Sequence, residues 1–140
     1  MTVRRRLVID TNVLVSFALL SNTTPRRAVE FALRNDLLLI SDATLTELRR
    51  VLLRSKFDRY ATRAERQSFL LLLERIAIHV DIIEHVQACS DPDDDKFIEA
   101  AVNGDAEFLI TGDAALLALG RFRGIEIITP AIYLAHLPQI

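Results

Sequence analysis

Leu7-Val8-Ile9-Asp10-Thr11-Asn12 is the stretch on which the fold turns. An apolar run stopped by a carboxylate has the pattern of a buried parallel strand reaching its carboxyl end. A helix is predicted to follow over 12–20. The pattern returns at Phe108-Leu109-Ile110-Thr111-Gly112-Asp113, with Gly112 expected to supply an unusual dihedral and Asp113 to cap a short helix over 114–119. Outward from these two stretches, apolar runs at 37–40, 79–83 and 125–128 read as further strands. Helical periodicity or start signals mark 25–35, 44–54, 62–76, 92–102 and 130–137. Strands that alternate with helices imply a parallel sheet of about five strands covered on both faces. The expectation is one α/β domain over 1–140.

Composition agrees. The chain has 140 residues, 51% of them hydrophobic and 26% charged, with a formal net charge of −2. That is enough for one real core, and four Gly and four Pro exclude a collagenous or linker-like chain. No apolar run approaches the roughly 20 residues of a membrane helix. Arg4-Arg5-Arg6 precedes an apolar run, but Asp10 cuts it short, so no signal peptide is expected. Cys89 is the single cysteine and has no disulfide partner within the chain. A soluble cytoplasmic protein is expected. Of the 17 basic residues only Lys56 and Lys96 are lysines, and guanidinium is the better fork for phosphate.

In parallel sheets, ligands bind beyond the carboxyl ends of the strands, and acids collect there. Asp10 or Asn12 would serve as a helix cap, and the end of a central strand also suits a hard-cation ligand. Thr44-Leu45-Thr46-Glu47 matches a capping box, in which Glu47 returns to the backbone, yet this first turn lies close enough to the edge to reach Asp10. Ser90-Asp91-Pro92-Asp93-Asp94-Asp95-Lys96 places four aspartates before an apolar helix, more than capping needs. It is no EF-hand, because Lys96 replaces the glycine and Val102 the glutamate. Helical spacing puts Asp95 on a face partly toward the sheet and Asp94 toward solvent. Lys96 is expected to face solvent too. Four acids from four elements would repel unless protons or a cation compensate, and Mg²⁺ or Mn²⁺ is the natural compensator. His79, His85 and His136 are too scattered to argue for zinc.

Taken together, Asp10-Thr11-Asn12, Glu47 in Leu45-Thr46-Glu47-Leu48, Asp91-Pro92-Asp93-Asp94-Asp95-Lys96-Phe97 and Thr111-Gly112-Asp113 resemble the PIN-domain nucleases. The resemblance is closest to the toxin components of bacterial toxin–antitoxin systems, to which the VapC toxins are related. It runs from the first strand to Ile127-Ile128-Thr129-Pro130. The DPDDDKF and TGD segments are its most specific pieces, and no core motif is missing. It implies a three-layer α/β/α sandwich and a divalent-metal-dependent endoribonuclease that leaves a 5′-phosphate and a 3′-hydroxyl. By position it implies Asp10, Glu47, Asp95 and Asp113 as catalytic acids and ligands of one or two Mg²⁺ or Mn²⁺ ions, with Asp93 replacing or assisting Asp95. Asn12 and Thr111 would support the acids by hydrogen bonds. A small antitoxin protein and a homodimer or higher oligomer are the partners it implies.

An acidic site needs positive residues to draw RNA in. The candidates are Arg26, Arg27, Arg49, Arg50, Arg54, Lys56, Arg59, Arg121 and Arg123, although singly each is as well explained as a solvated surface charge. Leu70-Leu71-Leu72-Leu73 exceeds a one-sided apolar stripe, which fits burial inside the domain or against a second subunit. Two alternatives stand beside the nuclease. One is a non-catalytic RNA- or protein-binding module with structural acids. The other is a different phosphate-handling α/β domain, disfavoured because no lysine follows the last strand and Asn12 stands where a phosphatase would need a second aspartate.

Overall fold

The computed structural model describes residues 4–136. Its centre is a six-stranded sheet made of β1 (Arg6–Ile9), β2 (Leu37–Ile40), β3 (Ile78–His79), β4 (Phe108–Ile110), β5 (Arg121–Phe122) and β6 (Ile125–Ile128). The strand order is β3-β2-β1-β4-β6-β5. All pairings are parallel except that of β5 with β6. The helices are α1 (Thr11–Leu19), α2 (Thr24–Asn35), α3 (Asp42–Leu52), α4 (Arg63–Ile76), α5 (Asp95–Asn103), α6 (Ala114–Leu117) and α7 (Pro130–Ala135). The end of the last predicted helix, at Leu137, lies outside the described residues.

Alternation along each strand divides the interior in two. Leu7, Ile9, Leu38, Ile40, Phe108 and Ile110 face one core with α1, α2, α3, α4 and α7. Val8, Leu39, Leu109, Ile125 and Ile127 face the other with α5 and α6. Because successive side chains point to opposite faces, runs of continuous hydrophobicity supply both layers. The result is an α/β/α sandwich.

The edges of the sheet depart from expectation. The strand predicted over 79–83 is only Ile78–His79, after which the chain leaves the ladder. The amides of Ile83 and Glu84 donate to Asn103 Oδ1, at 3.0 and 2.9 Å, in place of a neighbouring strand. On the other edge β5 is an added antiparallel strand. It joins β6 through Arg123 and Gly124, whose φ values of 48° and 83° suit the two-residue hairpin turn that follows the twist of the strands. Gly104 is required for packing. A Cβ there would lie 2.6 Å from Leu39 Cδ1, so the end of α5 can sit flush on β2 only without a side chain.

Two buried charged groups hold the layers together. Asp36 accepts from Arg5 N and Tyr133 Oη, and pairs with Arg5 Nη2 at 3.1 Å. This fastens α7 and the start of β1 to the end of α2. Arg66, which periodicity marks only as a helix residue, is 1% exposed. Its guanidinium donates to the carbonyls of Ala61, Leu52 and Arg54 and pairs with Asp58. It thereby satisfies carbonyls left free where α3 ends. Arg66→Ala is expected to destabilise the protein by about 2–4 kcal/mol, because a buried carbonyl loses its donor and a cavity opens. Urea unfolding of the two proteins measures the difference.

Candidate active site

Parallel pairing brings the ends of β1 and β4 level. Asp10 N donates to Ile110 O at 3.0 Å, and Thr111 N donates to Ile128 O at 2.9 Å. The first residue beyond each strand is therefore held on the ladder and positioned by it. Asp10 caps α1, with Oδ1 accepting from Val13 N at 2.9 Å, while Oδ2 accepts from Thr111 Oγ1. Thr111 Oγ1 in turn accepts from Asp113 N at 2.9 Å, and Asp113 caps α6 through Leu116 N at 3.0 Å. Capping and a place in the cluster are thus held by the same carboxylates. Gly112 between them has no positive φ, and a Cβ there would meet nothing within 4 Å. The unusual dihedral expected of it is absent, and its smallness leaves open space beside the acids.

Glu47 does not close a capping box. Ser41 and Thr44 cap α3 reciprocally, which frees Glu47 one turn later to face the sheet edge. Its Oε2 accepts from Thr11 Oγ1, and its Oε1 lies 3.0 Å from Lys96 Nζ. Lys96, expected in solvent, is mostly buried and also lies 3.6 Å from Asp93 Oδ1.

The acidic run differs most from the prediction. Residues Pro92–Asp94 form a 3₁₀ turn, and the α-helix begins only at Asp95. That turn changes the angular register. Asp94 lines the cavity, while Asp95 turns away and accepts from the amides of Ala88 and Cys89, at 3.0 and 2.8 Å. Burial raises the Asp95 carboxyl, but these two amides outweigh it and hold its pKa below the usual range. Asp95, predicted as a ligand, therefore pins the preceding loop. Asp94, expected toward solvent on a helix continuous from Pro92, lines the cavity because the 3₁₀ turn shifts the register.

Asp10, Glu47, Asp93, Asp94 and Asp113 together line a cavity of about 310 Å³, with Arg50 and Arg54 on its wall. The electrostatics of the cavity are unfavourable for bare carboxylates. Burial raises the Asp10 pKa, against the hydrogen bonds from Thr111 and Val13, and Asp113 adds to the rise. Asp94 is pushed up to about 6, first by burial and then by the charges of Asp113, Asp91 and Glu47. Burial, then the hydrogen bond and charge of Asp95, and then the charges of Asp94 and Asp113 push the Cys89 thiol up to about 12, which leaves it inert as a nucleophile.

The donor set suits a hard divalent cation. All its atoms are oxygens, like charges are crowded together, and the cavity has room for coordinating water. Among the described residues no group of three or more His, Cys, Asp or Glu side chains is placed so that together they could hold a metal ion. An ion that keeps several waters does not need three protein ligands.

The supporting groups divide differently from the expectation. Thr111 makes the expected bond, whereas Asn12 lines the cavity and Thr11 holds the glutamate. Arg26 is committed elsewhere, to Glu30, the Phe17 carbonyl and the Phe17 ring. Arg27 contacts Thr24, Arg49 pairs with Glu74, Lys56 lies over Phe57, and Arg59 over Tyr60. Arg121 and Arg123 pair with Glu126 and Glu84 around the start of β6, at the opposite end of that strand from Thr129. Only Arg50 and Arg54 of the predicted basic set line the cavity.

The fold has solved relatives. VapC20 of Mycobacterium tuberculosis, described as a toxin that cleaves the sarcin–ricin loop, aligns with a TM-score of 0.54 at 11% identity, over 86% of this chain and 98% of that one. VapBC2 of Rickettsia felis, bound to a DNA fragment from its promoter, aligns at 0.60 and 14%, over 89% and 98%. FitAcB of Neisseria gonorrhoeae aligns at 0.55 and 20%, over 94% and 99%. Among curated protein sequences, none matches. The sequence model described as PIN domain matches residues 6–115, which include Asp10, Glu47, Asp93, Asp94, Asp95 and Asp113. The chain belongs to the PIN domain family.

Proposed function

We propose that the protein is a divalent-metal-dependent endoribonuclease and the toxin of a toxin–antitoxin pair. The observation that carries the reading is the meeting of Asp10, Glu47, Asp94 and Asp113 in one open cavity flanked by Arg50 and Arg54. The chain's family, and its likeness in fold to a toxin that cleaves the sarcin–ricin loop, support a nuclease. In this reading Asp10, Asp94 and Asp113 hold the cation, with Glu47 beside it. Asp93 is a peripheral acid, and Asp95 positions the loop before α5.

A cation bound there would supply Lewis-acid polarisation of the phosphate and acidify water for in-line attack. The chain supplies the rest. Thr111 keeps one Asp10 oxygen oriented while the Val13 amide fixes the other, so the carboxylate is held before any cation arrives. Thr11 fixes Glu47 in the same way. Arg50 and Arg54 offset the repulsion between an acidic cavity and an RNA backbone. The partner in the reading is a small antitoxin protein. Leu71 and Leu72 of α4 are 67% and 51% exposed, an apolar face available for self-association. No helix among the described residues is long and apolar enough to cross a membrane.

Asp10→Asn should abolish Mn²⁺-dependent cleavage of RNA, yet melt in EDTA at no lower temperature than the wild type. Asn retains the cap and removes a buried charge. Cleavage at the wild-type rate would refute the assignment. Thr111→Val should weaken Mn²⁺ binding about 10–100-fold, the usual cost of losing a group that orients a metal ligand; isothermal titration reads this directly. The double variant Arg50→Ala/Arg54→Ala, in the Asp10→Asn background, should lower the slope of log affinity for RNA against log salt by about 2. An unchanged slope would remove both arginines from the RNA path.

A further inference from the structure

Lys96 is one of two lysines among 17 basic residues. The other, Lys56, lies over the ring of Phe57. Lys96 Nζ sits between two carboxylates, 3.0 Å from Glu47 Oε1 and 3.6 Å from Asp93 Oδ1. Its side chain and that of Glu47 are 19% and 14% exposed, so the pair is screened less than a surface ion pair. The second Glu47 oxygen accepts from Thr11. For the other acids of the cavity the balance is reversed. Among the described residues Asp10, Asp94 and Asp113 have no Lys or Arg nitrogen within 4 Å. The acids thus form two groups, one facing the chain's own cations, Lys96 and, at 4.0 Å from Glu47 Oε1, Arg50 Nη2, and the other facing none. A compact ammonium suits the space between two carboxylates better than the planar guanidinium used elsewhere in this chain.

We propose that Lys96 takes the place of a second divalent ion: its ammonium, with Arg50 beside it, offsets the charges of Glu47 and Asp93, and the cavity binds a single divalent cation on the side of Asp10, Asp94 and Asp113. This rests on the reading of the cavity as a divalent-cation centre and fixes its stoichiometry. A second dication beside Glu47 would have to displace Lys96 or lie against its charge. Lys96 is accordingly a positioning residue that holds Glu47, and its loss changes how many ions bind as well as how fast RNA is cut.

The test counts ions, independently of cleavage. The full chain is titrated with Mn²⁺ alone, and free Mn²⁺ is read by electron paramagnetic resonance. Wild type and Lys96→Arg should each bind one ion per chain. Lys96→Met should bind two, and Lys96→Met/Glu47→Gln should return to one. Thermal melting in EDTA establishes that each variant is folded, and Lys96→Gln replaces Lys96→Met if the latter is not. Two ions on the wild type, or one on a folded variant lacking the charge, would overturn the proposal and leave the cation-centre reading intact. No ion on the wild type would overturn both.

Discussion

The hydrogen bond from the Asp10 amide to the Ile110 carbonyl fixes most of what matters here. It is the last rung of the parallel ladder between β1 and β4, and it sets the ends of two central strands at the same height. From that rung Asp10 enters α1 and Thr111-Gly112-Asp113 enters α6, so both acids emerge at one edge with their backbones already fixed. The hydroxyl of Thr111 then bridges the two turns by donating to Asp10 and accepting from the Asp113 amide. If the register moved by one residue, alternate side chains would exchange faces. The core would be lost together with the cluster.

Collecting carboxylates costs stability, and the structure offsets that cost locally. Asp10, Asp113 and Asp95 each bind backbone amides, and Lys96 answers Glu47. Asp94 has less help: burial first, and then the charges of Asp113, Asp91 and Glu47, push its carboxyl up. This uneven compensation gives the cavity its chemical direction. An added positive charge would be stabilised chiefly on the Asp94 side, and the proposed cation belongs there. Arg50 and Arg54 line the same cavity, Arg50 Nη2 at 4.0 Å from Glu47 Oε1, and add positive charge that a polyanion can meet.

Several site residues were legible in the chain because their roles are local. A carboxylate that ends an apolar run announces a strand end, and Asp10 and Asp113 required nothing more. Glu47 was ambiguous because a capping box and a site acid share one spacing; Ser41 resolved it by capping α3 first. The placements of Asp94 and Asp95 differ from expectation because a single 3₁₀ turn alters angular register without altering composition. The place of Lys96 differs from expectation, and the burial of Arg66 carries no local signal, for a related reason. Long basic side chains are solvated by default, and only the converging partners of a folded chain draw them inside.

Patterns of near neighbours therefore determined the layers, the parallel sheet and the edge on which the acids lie, since strand and helix periodicity is written along a few residues at a time. Tertiary structure alone decided which charged residues of the run from Asp91 to Lys96 line the cavity, which arginines reach its wall, and where the ammonium of Lys96 rests. Those outcomes depend on contacts between groups some 40 to 100 positions apart, such as Lys96 with Glu47 and Thr111 with Asp10. A distance through space between such groups exists only after the chain has closed on itself.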